Sequence, residues 1–147
     1  MRFVTSQNPD AHQQRMDQLR GDRAAAAPLR VAFPAIQQVR IELKFVGRNA
    51  NPPGSQLHVL HPPARAFFTY PCPYANCDGQ FDLSPLVNVA LDDPSLRTEG
   101  ILECAGRRAQ KHDSRDPCQL CLLYTIIATR LERATPPTYA REKSRSD

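Results

Sequence analysis

Residues 72–79, with the sequence CPYANCDG, decide the fold because they carry two cysteines on a short loop that ends in a glycine. Glycine has no Cβ, so Gly79 lets the backbone turn tightly and point its amides at the sulfur of Cys77. Amides in that position offset the negative charge of a thiolate. The stretch therefore predicts a metal-binding loop in which Cys72 and Cys77 are two of the ligands.

A second glycine-marked cysteine follows in the stretch Cys104-Ala105-Gly106, and Cys118 lies across the expected hairpin from it. Zinc prefers four such ligands in a tetrahedron, and proteins usually supply them as two local pairs. We therefore predict one zinc ion held by Cys72, Cys77, Cys104 and Cys118.

This pattern resembles the knuckles of zinc ribbons and related four-cysteine fingers, over residues 70–124. The loop between the first two cysteines is wider than in typical ribbons, and a helix is predicted between the two knuckles. Four thiolates close the coordination sphere, which implies a structural rather than a catalytic metal.

Other ligand sets are possible. Cys118 and Cys121 form a Cys-x2-Cys pair, but no glycine follows Cys121, and residues three apart point to opposite faces of a regular strand. We interpret Cys121 as a buried thiol, and His58 and His61 as edge-strand residues, although either histidine could replace a cysteine. The other interpretations are a cluster of unpaired core thiols and a redox pair formed by Cys118 and Cys121. An odd number of cysteines without a secretory signal makes a disulfide framework unfavourable.

The rest of the fold is predicted outward from this loop. Residues 39–45, VRIELKF, alternate apolar and charged side chains and predict a strand with one wet face. We expect residues 56–61 to return beside it as a hairpin. Further strands are expected at 66–70, 100–104 and 118–128, with the last at the centre of the sheet because it is long and nearly all apolar. Ser84 and Pro85 predict the start of a short helix. The expected fold is α+β, with an antiparallel sheet of about five strands, one short helix and a structural zinc site.

The ends of the chain have a different composition. Residues 1–28 are polar and are predicted to be a flexible or partner-ordered arm, and residues 131–147 a disordered tail. The zinc-stabilised domain is thus expected at 29–130.

Length and charge bound the possible functions. A chain of 147 residues with a net charge of +4 predicts one domain of a small basic protein. Residues 67–103 hold one basic residue against six acidic ones, whereas the flanking segments are basic. We expect no membrane span, because no apolar run approaches the roughly 20 residues needed. The start has no signal-peptide pattern, so we expect a cytoplasmic protein.

The polar hairpin between Cys104 and Cys118 is the candidate recognition element. Its basic residues are expected to contact phosphates in nucleic acid or a ribonucleoprotein; they are Arg107, Arg108, Lys111 and Arg115. The alternative is a protein-interaction subunit of a larger assembly, which would use residues 1–28 and 131–147. No catalytic motif is evident, so we expect neither an enzyme nor a small-molecule substrate.

Overall fold

The computed structural model describes residues 7–47, 54–74, 77–109 and 115–131. The predicted tail lies outside this part of the chain except for residue 131. The helices and strands, in chain order, are α1 (Gln7–Ala25), α2 (Leu29–Ala32), β1 (Ile36–Val46), β2 (Gly54–Leu60), β3 (Thr69–Pro71), β4 (Gln80–Asp82), α3 (Ser84–Asp92), β5 (Arg97–Glu103), β6 (Arg107–Ala109), β7 (Arg115–Pro117) and β8 (Cys121–Arg130).

The main sheet has four antiparallel strands in the order β2-β1-β8-β5. The predicted α+β class, the β1–β2 hairpin and the central position of the last strand are confirmed. The strand expected at 66–70 does not join this sheet. Residues Thr69–Pro71 pair instead with Gln80–Asp82, so that β3 and β4 form a two-stranded ribbon.

The alternation in β1 has the predicted effect. The four alternating apolar residues of the predicted stretch 39–45 are at most 2% exposed, and they are Val39, Ile41, Leu43 and Phe45. Helix α3 packs against β5 and β8. The rings of Phe45 and Phe81, with centroids 6.1 Å apart, connect β1 to β4. The core therefore lies on one face of the main sheet, beside the ribbon that carries the first two cysteines.

The start of α3 differs in detail from the prediction. Leu83, and not Ser84, occupies the N-cap position, and it makes no side-chain cap. The carboxylate of Asp82 instead accepts hydrogen bonds from the backbone amide of Ser84, at 3.0 Å, and from its hydroxyl, at 2.7 Å. An acidic residue just ahead of the helix thus satisfies one of the free amides of the first turn.

Helix α1 contacts the rest of the chain through residues on one of its faces. Leu19 is buried, the Arg15 guanidinium donates a hydrogen bond to the carbonyl of Cys77, and Arg23 lies over the ring of Phe67. Residues spaced by four share one helix face.

The division into an arm at 1–28 and a domain at 29–130 stays a prediction. In the part of the chain that the structure describes, no helix is both long and apolar enough to cross a membrane.

Two adjacent leucines of β8 test the placement of the core. Leu122 is fully buried and Leu123 is 37% exposed. We expect Leu122→Ala to lower the free energy of unfolding by roughly 2–5 kcal/mol because it leaves a cavity. Leu123→Ala should lower it by about 1 kcal/mol or less. Urea denaturation measures both, and equal decreases would contradict the assigned faces of the sheet.

Candidate metal centre

Four cysteines that are far apart in the chain converge in the structure. The sulfur atoms of Cys72, Cys77, Cys104 and Cys118 all lie within 4.8 Å of one another. Each of these residues is at most 6% exposed. They are the four that the glycine-marked loops predict as ligands, and this group could hold a metal ion.

The spacing of the sulfurs fits a tetrahedral zinc site. The Sγ atoms of Cys72 and Cys118 are 3.7 Å apart, as are those of Cys77 and Cys104. Zinc bound to thiolates at about 2.3 Å separates the sulfurs by about 3.8 Å along each edge of the tetrahedron. A disulfide would require about 2.05 Å. The two spacings match those of thiols that share one ion, and the four cysteines are not joined as disulfides in the structure.

The first knuckle lies between β3 and β4. The backbone amide of Cys72 donates to the carbonyl of Gly79 at 3.0 Å, which closes the loop. The amide of Gly79 lies 3.3 Å from the sulfur of Cys77. This is the amide-to-sulfur contact expected from the glycine two positions after the cysteine, and it stabilises a thiolate there.

The second knuckle follows β5 and repeats the same contact. The amide of Gly106 lies 3.4 Å from the sulfur of Cys104. The amide of Cys118 then donates to the carbonyl of Gly106 at 3.0 Å. The second knuckle therefore positions two thiols, one from its own turn and one from the residue that directly follows β7.

The two knuckles meet backbone to backbone at their glycines. A Cβ added at Gly106 would overlap the Cα and amide nitrogen of Gly79, and one added at Gly79 would overlap the sulfur of Cys104. Next to this contact, the Asp78 carboxylate accepts a hydrogen bond from the amide of Arg107 at 2.8 Å. The amide of Asp78 donates to the carbonyl of Arg107 at 3.2 Å. Glycine is required here for close approach, so that four thiols can reach one point.

Burial raises the pKa of two of the clustered thiols, Cys72 and Cys104. Desolvation raises the pKa of Cys72 well above its ordinary range, against the opposing effect of a backbone hydrogen bond from Tyr74. It raises the pKa of Cys104 to about 12, with the Gly106 amide acting in the opposite direction. Both thiols are therefore neutral at pH 7 without a metal. A bound dication supplies the charge that makes thiolates favourable at this buried site.

Cys121 stands outside the group of four. Residues 118–120 are not part of β8, and Gln119 has a left-handed φ of 60°. A turn in the chain, and not strand alternation, therefore separates Cys118 from Cys121. The prediction that Cys121 is a buried thiol is wrong, since it is only half-buried. It begins β8 opposite Val46 and Glu103, on the uncovered side of the sheet.

Neither candidate histidine joins the cluster. His58 is on the edge strand β2, where its ring stacks on Tyr70 with centroids 4.4 Å apart. Its Nε2 lies 2.9 Å from the side-chain oxygen of Gln56. His61 is exposed just after β2. The histidines thus remain edge-strand residues, as interpreted from the sequence.

The hairpin between Cys104 and Cys118 is formed by β6 and β7. Arg107 pairs with Pro117, Arg108 with Asp116, and Ala109 with Arg115. Lys111, at the predicted tip, lies outside the described residues. The structure therefore places three of the four predicted basic residues on the two strands of one ribbon.

Sequence reasoning missed Arg15. Its guanidinium reaches the carbonyl of Cys77 from helix α1, so a cation lies beside the first knuckle. The available signal was the spacing of Arg15, Leu19 and Arg23, which places them on one helix face. This spacing does not indicate which part of the folded chain the helix face contacts.

Comparisons with protein-family models, with curated proteins and with solved structures each found no match for this chain. The four clustered cysteines are consistent with a zinc-binding knuckle.

We expect protein purified without added metal to contain about one zinc per chain by elemental analysis. Substitution of any one of the four clustered cysteines by serine should lower the zinc content sharply, because only three of the four ligands remain. Cys121→Ser is the matched control and should retain zinc. Loss of zinc in the Cys121→Ser variant, with retention in Cys104→Ser, would contradict the ligand set.

A second test uses two glycines. Gly106→Ala should weaken zinc binding and lower thermal stability, because the new methyl group overlaps the Gly79 backbone. Gly21→Ala is the control, since its added Cβ meets nothing within 4 Å. In a helix interior alanine should stabilise relative to glycine by roughly 0.5–1 kcal/mol. Competition with a chromogenic chelator measures the affinity, and unchanged zinc binding by Gly106→Ala would contradict the role given to the glycine contact.

Proposed function

We propose that this chain is a zinc-stabilised recognition module that presents the basic hairpin, residues 105–117, to nucleic acid. The four thiols are buried, and their sulfur atoms lie within 4.8 Å of one another. A zinc ion with four thiolate ligands has no open position for water or substrate. Its role is therefore to fold and position the chain, and recognition falls to the surface that the site supports.

The observation that carries the proposal is the attachment of the hairpin to both knuckles. Cys104 and Gly106 lead into β6, and β7 leads directly into Cys118. The first knuckle also holds the base of the hairpin, through the two hydrogen bonds between Asp78 and the Arg107 backbone. An element fixed at its base loses little entropy when it binds a partner.

The charge of the hairpin suits a polyanion. Residues 105–117 contain four basic residues against two acidic ones. Arginine and lysine side chains contact phosphates without regard to base sequence. Binding through such contacts gives affinity for many nucleic acids and positions the protein on the backbone.

A second candidate function rests on the uncovered face of the main sheet. Ile101 is 67% exposed and Leu57 is 52% exposed. The charges on this face are partly paired among themselves, with Arg40 3.0 Å from Glu42 and Arg97 3.0 Å from Glu99. Exposed apolar side chains between paired charges favour a protein partner over a polyanion. This face supports the alternative of a protein-interaction subunit.

The nucleic-acid proposal is tested by replacing Arg107, Arg108, Lys111 and Arg115 together with alanine. We expect weaker binding of every sequence alike, because these cations no longer neutralise phosphates. The slope of log K against log salt should flatten by about 0.7–0.9 for each phosphate that the variant leaves unneutralised. Zinc content and thermal unfolding should stay unchanged. Fluorescence anisotropy with labelled oligonucleotides at several salt concentrations measures the binding.

The matched control removes the same number of basic residues elsewhere, by substituting Arg20, Arg40, Arg97 and Arg130 with alanine. It should reduce binding much less than the hairpin variant. Equal binding by the hairpin variant and the parent, or no binding by the parent at low salt, would contradict the proposal. A copurifying protein that dissociates from an Ile101→Glu variant, but is insensitive to salt, would then support the alternative.

A further inference from the structure

A groove between helix α1 and strand β2 is separate from both the cysteines and the hairpin. Its volume is about 410 Å³, within the roughly 300–1,000 Å³ range of small-ligand sites. The lining residues are Arg23, Leu57, His58, Val59, Leu60, Ala64, Arg65, Phe67 and Tyr70.

The charge of this groove has one sign. Two arginines line it, and none of the described lining residues is acidic. Burial and the nearby Arg23 guanidinium together lower the pKa of His58. The field of Arg23 also reaches the buried Tyr70 hydroxyl. The groove thus concentrates positive potential that no carboxylate on its wall offsets.

The second feature of the groove is that several of its side chains carry planar groups. The guanidinium carbon of Arg23 lies 5.1 Å from the centroid of the Phe67 ring, in a cation–π arrangement. The His58 ring stacks on Tyr70, with an interplanar angle of 28°. Nucleic-acid bases stack on aromatic rings and on arginine guanidinium planes. Cations and planar groups together suit a ligand that is both anionic and aromatic.

The backbone around the groove holds the two arginines in place. Arg65 donates a hydrogen bond from Nη1 to the carbonyl of Ala26 at 3.0 Å, and its backbone pairs with Pro28. Arg23 is held through the docking of its helix by Leu19. The guanidinium groups are therefore supported from both sides of the groove.

The larger groove on the uncovered face of the main sheet lacks these properties. Its volume is about 580 Å³, but Glu42 lies on its wall and pairs with Arg40. Among the described residues that line it, Lys44 is the other charged one, and none is aromatic. The smaller groove is thus the better match for a nucleotide.

We propose that the groove between α1 and β2 binds one nucleotide of a single-stranded nucleic acid, with its phosphate between Arg23 and Arg65 and its base against the planar groups. This proposal rests on the nucleic-acid function proposed above. A concave site of this size takes an unpaired nucleotide, whereas the paired bases of a duplex cannot enter it. The hairpin would then supply general phosphate affinity, and the groove a preference for single strands.

The test compares the full chain with an Arg23→Ala/Arg65→Ala variant, using oligo(U), oligo(dT) and a duplex of equal length as probes. We expect the single-strand affinity of the variant to fall by roughly tenfold or more, because two phosphate-binding cations and a stacking surface are removed. Duplex affinity should change far less. Arg97→Ala/Arg130→Ala is the matched control, since it removes two exposed arginines that do not line the groove.

Because Arg23 and Arg65 also hold α1, a second measurement on the unmodified protein is needed. Addition of oligo(U) should shift the NMR ring resonances of His58 and Phe67, and the duplex should not. Unchanged single-strand affinity in the groove variant, or absent shifts at His58 when oligo(U) binds, would overturn the groove proposal and leave the hairpin function standing. Failure of the parent to bind any probe would overturn both.

Discussion

The approach of two glycines, Gly79 and Gly106, is the constraint on which the arrangement of the cysteines depends. No side chain fits between the two knuckles at this point. Their contact brings Cys77 beside Cys104, and the carbonyl of Gly106 holds the amide of Cys118. The β3–β4 ribbon, the end of β5 and the start of β8 therefore meet at one place. A metal ion bound by the four thiols would add directly to the free energy of folding.

The elements that were predictable from sequence are those with strong local signals. The alternation in residues 39–45 indicates β1, and the long apolar run before Arg130 indicates a central strand. The glycines after Cys77 and Cys104 mark the knuckle cysteines. Three-residue strands such as β4 carry too little periodicity to be recognised. The left-handed backbone at Gln119 and the docking of Arg15 on Cys77 depend on contacts between distant segments. Local patterns do not encode such contacts.

Helix α1 connects two parts of the molecule that are distant in sequence. Arg15 contacts the first knuckle, and Arg23, two turns further on, lies over Phe67. Leu19 is buried between them. A helix fixed at both points keeps the first knuckle and the segment around Phe67, between β2 and β3, in a constant relative position. The face of α1 that contacts the rest of the chain is short and mostly polar. The helix is therefore stabilised by its contacts with the rest of the folded chain more than by its own helix-forming tendency.

Strand β8, one of the two inner strands of the main sheet, is also the last strand in the part of the chain that the structure describes. Phe45 pairs with Leu122, and Val39 with Ala128. Strand β1 therefore cannot form these pairs until the residues of β8, which are much later in the sequence, have been synthesised. A nascent chain that has emerged only as far as β5 exposes unpaired strand edges and two of the four clustered thiols, with Cys104 following directly. Long-range pairing of this kind slows folding, and it cannot form before β8 has been synthesised. Because Cys118 immediately precedes β8, the fourth thiol and the missing strand leave the ribosome together.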